Sequence, residues 1–145
     1  MTQELESAQA AAVMPVPRAP FSQHRLDNGS VLFLHETEKF RSTTIDLFLR
    51  TALEPGKATR IALIGRLLER GTRRWPDLRA INRFLDDMYG ASFAVDVEQV
   101  ADQQVLHASF DVIDGGLVGE AGLLSRLFEF AAEVVGLPAG TDGFR

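Results

Sequence analysis

A chain of 145 residues holds one hydrophobic core, and with 46% hydrophobic and 24% charged residues it is neither disordered nor a low-complexity fibre. Its 15 Lys and Arg stand against 20 Asp and Glu, so a net charge of −5 offers no basic field to a phosphate backbone. Cysteine is absent, which removes disulfides, thiol catalysis and every Cys-based metal motif and leaves His and carboxylates as the only metal ligands.

In chain order, residues 1–20 carry Glu4 and Glu6 where a secretory signal has positive charge, and no uninterrupted apolar segment follows. Pro15, Pro17 and Pro20 deny this segment a continuous helix, so it is expected to be a flexible arm before a domain covering 21–145. No run approaches the roughly 18 apolar residues of a membrane span, and the reading is a cytoplasmic protein. From Phe21, two apolar runs flank Asn28-Gly29, a hairpin signal. A two-residue type I′ turn there sets Ser22 opposite His35 and His24 opposite Phe33, which places His24 and His35 diagonally on one face. That face also carries Leu26, Val31 and Phe33, so the histidines read as core-edge residues in preference to metal ligands.

Residues 42–52 alternate Ile45, Leu47 and Leu49 against Thr44, Asp46 and Arg50, a half-buried strand ended by Glu54-Pro55-Gly56. Residues 57–70 read as a helix whose apolar surface wraps far enough to predict burial on more than one side, with Gly71 as a left-handed cap. Asp77 is the expected N-cap of a second helix bearing Leu78, Ile81, Leu85, Met88 and Tyr89 on one stripe. Strands follow at 92–99 and 104–112, then a helix over 117–135 with Leu117, Ala121, Leu124, Phe128, Ala131 and Val135 on its apolar face. The order predicts an α+β fold, a mainly antiparallel sheet with helices on one face. On strand 104–112 the side chains of Leu106, Ala108, Phe110 and Val112 should face the helices, leaving Val105, His107, Ser109 and Asp111 on the other side. The last three are Ser, His and Asp in composition only, because a strand spaces them at ~7 Å steps and a triad needs them to converge.

The strings LDNGSVLFLHE (26–36), TTIDLFLR (43–50), LLERGTRRWP (67–76) and FLDDMYGASFAVDVE (84–98), with the closing strand and helix, resemble the pitrilysin/insulinase-like zinc metallopeptidases over about residues 21–140. The resemblance implies part of a metallopeptidase domain, namely the N-terminal portion of a first unit, so the chain is expected to be a fragment of a longer protein. Active members carry His-x-x-Glu-His on the helix before a Gly-Thr pair: the two His bind Zn²⁺ and the Glu takes a proton from the metal-bound water. Counted back from Gly71-Thr72, those positions are Ala62, Gly65 and Arg66. A methyl group has no lone pair, glycine has no base, and a guanidinium only donates hydrogen bonds and repels a dication. No catalytic residue, metal site or cofactor is therefore assigned. The family's third ligand, a downstream Glu, would fall near or beyond Arg145. Arg66 must reach solvent, an acidic side chain or a substrate carboxylate, solvent being the commonest outcome.

The resemblance also implies that the segment Phe93, Ala94, Val95, Asp96 and Val97 matches the edge strand on which active members receive a substrate peptide through main-chain hydrogen bonds. Phe93 and Asp96 stand where the family usually has Asn and Thr, and an ordinary sheet strand with two neighbours is the equal alternative. The strings look most like the non-catalytic bacterial members associated with elongation factor P modification. The implied function is a silent subunit that binds peptide or unfolded polypeptide and pairs with a zinc-bearing relative or with itself, without nucleic acid or membrane. A purely structural role, like that of zinc-free core subunits of the respiratory chain, and a peptidase completed by residues outside this chain are the alternatives.

Overall fold

The computed structural model describes residues 21–136; the expected N-terminal arm, 1–20, lies outside them. The chain divides between Glu38 and Lys39 into two units. In the first, β1 (Ser22–Arg25) pairs antiparallel with β2 (Val31–Leu34). The expected register is off by one: Ser22 faces Leu34 and His24 faces Leu32. The reason is the turn. A type I′ turn needs positive φ at both central residues, but of Asn28-Gly29 only Gly29 has it, at 84°. The chain instead closes over residues 26–29, with Gly29 N–H donating to Leu26 O and Leu26 N–H to Ser30 O. One residue of slip moves a side chain to the opposite face. His24 therefore shares a face with Ser22, Leu32 and Leu34, while the His35 ring lies tilted against Phe21 with centroids 5.1 Å apart, so the expected diagonal of His24 and His35 does not form.

In the second unit, β3 (Ser42–Ala52), α1 (Ala58–Leu68), α2 (Leu78–Asp86), β4 (Ser92–Val100), β5 (Gln103–Ile113), α3 (Gly115–Val118) and α4 (Leu123–Gly136) follow in order. The strands form one antiparallel sheet in the order β3-β5-β4. The fold is α+β as the sequence implies. Alternation on β5 buries Leu106, Ala108, Phe110 and Val112 under the helices and leaves His107, Ser109 and Asp111 half-buried on the other face. Val105, expected outward, is buried as well.

α1 packs on β4 and β5 and α4 on β5, around an aromatic centre in which Phe130 lies 5.2–5.9 Å from Trp75, Phe84, Phe93 and Phe110. α2 starts as expected at Asp77, whose carboxylate accepts from Ala80 N–H at 2.8 Å. It buries Ile81 and Leu85, with Met88 just beyond its end, but leaves Leu78 and Tyr89 exposed.

Two helical expectations are corrected. The single helix over 117–135 is two: α3 stops at Gly119, in the left-handed region, and α4 begins at Leu123. α4 buries Leu123, Leu127, Phe130, Ala131 and Val134, whereas Leu124, Phe128 and Val135 are exposed. α1 is covered on one side only among the described residues: Gly65 and Leu68 are buried, while Leu63, Ile64 and Leu67 are 55%, 46% and 36% exposed.

Candidate functional site

α1 ends at Leu68 with Glu69 as its C-cap, and Gly71 is not left-handed as expected. Its constraint is close approach: a Cβ at position 71 would lie 2.6 Å from Pro76 O. This tight loop is closed by Thr72 N–H to Trp75 O at 2.7 Å and by Trp75 N–H to the buried Thr72 Oγ1 at 3.0 Å. The loop fixes where α1 finishes and hence which of its residues lie over β4.

The three positions that match the zinc motif are split by this packing. Ala62 and Arg66, one turn apart, are exposed, and Gly65 is buried against β4. A Cβ at position 65 would lie 2.7 Å from Val97 Cγ2 and 3.7 Å from Val95 Cγ1. The glycine therefore removes a base and also lets helix and strand close on each other. A hydrolytic zinc does not fit these residues, because none offers a lone pair. No group of three or more His, Asp or Glu that could hold a metal ion occurs among the described residues.

β4 lies at the edge of the three-stranded sheet, with β5 as its one strand neighbour among the described residues. Val95 N–H donates to Glu69 Oε1 at 3.0 Å, so it points away from β5. Alternation along an antiparallel ladder aims the main-chain groups of Phe93 and Val97 to the same open side. The side chains of Phe93, Val95 and Val97 pack toward the core, and Ala94 and Asp96 are exposed on the other face.

Beside the start of this edge is a recess of about 640 Å³, lined by the polar residues Arg66, Glu69, Arg70 and Asn82 and by the apolar residues Leu78, Ile81, Leu85 and Phe93. Arg66 and Arg70 are exposed, and their side chains make no hydrogen bond or ion pair with a described residue. Arg66 thus takes the solvent outcome of the three expected for it.

On the opposite sheet face, His107 is not alone as its own strand suggests. Its Nε2 lies 2.7 Å from Asp46 Oδ1 on β3, and its ring stacks on Phe48 at 4.4 Å and 8°. The adjacent Asp111 Oδ2 is engaged by Thr44 Oγ1 at 2.9 Å. The pair follows from the register, which sets Asp46 opposite Ser109 and Phe48 opposite His107; strand 104–112 by itself could not show it.

No protein-family model matches the chain. Among solved structures, a conserved protein from Enterococcus faecalis V583 superposes with a TM-score of 0.72 at 22% identity, covering 74% of this chain and 25% of that one. That likeness fixes the fold class. Among curated proteins, the chain is 26% identical over 112 residues to "Probable inactive metalloprotease YmfF" of Bacillus subtilis (strain 168), covering 77% of this chain and 26% of that protein. The chain thus spans about a quarter of the length of either match. Among the described residues no helix is long and apolar enough to cross a membrane.

Proposed function

We propose that the chain forms part of a catalytically silent metallopeptidase homologue that holds an extended peptide along β4 and works beside a zinc-bearing relative. The observation that carries the reading is the pairing of a donor-free motif, Ala62, Gly65 and Arg66, with an edge strand directly beneath it. Active relatives use that juxtaposition to place a peptide bond at the metal. Keeping the edge while losing the metal leaves binding without hydrolysis. The name of the curated relative, an inactive metalloprotease, supports this reading. The elongation factor P association is the narrower form of the same proposal and rests on the strings at 26–36, 43–50, 67–76 and 84–98.

A purely structural subunit is the second reading, and the contact between Glu69 and Val95 favours it, because a carboxylate already occupies an edge amide. Incubation of the protein with labelled extended peptides separates the two. Peptide binding that perturbs the backbone amides of Phe93, Val95 and Val97, with the peptide intact after long incubation, is the expected result. Cleavage that depends on zinc would overturn the reading. Absence of binding would favour the structural role.

A further inference from the structure

The recess beside Phe93 has a chemistry that the loss of zinc does not explain. Arg66 stands in the last turn of α1 and Arg70 lies two residues beyond its end at Leu68. Both arginines line the recess, and neither side chain has a partner among the described residues. Glu69, between them in sequence, directs Oε1 to Val95 N–H and is held there. Asn82 of α2 adds an amide to the lining, and Phe93 sets the recess against the first residues of the β4 edge. The polar lining therefore carries two cations against one anion that is already engaged. A guanidinium is never deprotonated and presents donors that match a carboxylate in two-point contact.

We propose that this recess is a carboxylate-binding subsite: Arg66 and Arg70 take an acidic group of a peptide whose backbone runs along β4. Where active relatives place a metal-ligating His, this chain places a permanently charged guanidinium, which attracts an anion and cannot activate water. The occupant is an acidic peptide segment, and the anion is either an internal Glu or Asp side chain or the C-terminal carboxylate. Charge complementarity and adjacency to the strand edge select it. A volume of about 640 Å³ accommodates one or two side chains of such a segment.

The proposal rests on peptide binding at β4, and its test keeps the two apart. The probes are ten-residue Ser/Thr/Val peptides carrying a neutral BODIPY label at the N-terminus, in four forms: amidated without charge, amidated with one central Glu, amidated with Gln in that place, and with neutral side chains and a free C-terminus. Anisotropy titrations should show the Glu form or the free-acid form binding about tenfold tighter than its uncharged counterpart. That preference should weaken with added salt, vanish in the Arg66→Gln/Arg70→Gln double variant and persist in Arg66→Lys/Arg70→Lys. Whichever form is preferred identifies the source of the carboxylate. Equal binding of all four peptides, unchanged in the double variant, overturns the subsite and leaves β4 binding intact. No binding of any peptide overturns both.

Discussion

Glu69 Oε1 accepts the backbone N–H of Val95 at 3.0 Å, so a side chain just past the end of α1 stands where, among the described residues, β4 has no second strand neighbour. An unpaired edge amide is a template for unwanted pairing, and a carboxylate placed on it blunts that edge. The same contact ties the C-terminal end of α1 to the strand beneath the silent motif. Removing the acceptor should make itself felt at one amide. In Glu69→Ala, hydrogen exchange at Val95 is expected to quicken by about tenfold or more while Ala108, inside the sheet, keeps its protection, with about 1 kcal/mol lost in stability. Unchanged exchange at Val95 would show that the contact carries no weight.

The closeness of α1 and β4 at Gly65 leads to a coupled prediction. Alanine ordinarily improves a helix interior over glycine by about 1 kcal/mol. Here its Cβ would meet Val97 Cγ2 at 2.7 Å. Gly65→Ala is therefore expected to destabilise the protein by about 1–2 kcal/mol, and to become neutral or stabilising in a Val97→Ala background. Equal effects in both backgrounds, measured by denaturant unfolding, would contradict the packing described.

The orientation of α4 is open to a direct comparison. Phe130 is fully buried among four other aromatic rings, whereas Phe128, two residues earlier, is 55% exposed. Phe130→Ala should cost about 3–5 kcal/mol and Phe128→Ala no more than about 0.5 kcal/mol in this chain. The reverse order would restore the helix face that periodicity alone suggests.

The N-cap of α2 makes a smaller claim. Asp77→Ala should lose about 1 kcal/mol by leaving Ala80 N–H without its acceptor, and Asp77→Asn should keep most of it. Equal losses in the two variants would assign the effect to charge instead of capping.

These elements also show what the order of residues reveals and what it hides. The bounds of β3 are legible because an alternation broken only at Phe48 stops at Ala52, just before Glu54-Pro55-Gly56, and Asp77 announces α2 because a short acceptor precedes an apolar stripe. The face of α4 is not, since the doublets Leu123-Leu124, Leu127-Phe128 and Val134-Val135 let two stripes satisfy one helical period, and only docking against Phe110 selects between them. The hairpin fails for a related reason: Asn28-Gly29 admits two turns, and the choice shifts the register by one. At the candidate site, the missing donors at 62, 65 and 66 can be read directly from the sequence. The approach of Val97 to Gly65 and the link from His107 to Asp46 are long-range, and each depends on how β4 and β5 align. A hint was present in Gly65, a poor helix former in the middle of a helix, which often marks a close approach.

Ala62, Gly65 and Arg66 give this chain no hydrolytic zinc site, and metal analysis addresses that most directly. Protein purified without chelator and dialysed against dilute zinc should retain well under one zinc per chain by elemental analysis. One tightly held zinc per chain, released together with peptidase activity when a chelator is added, would contradict the account.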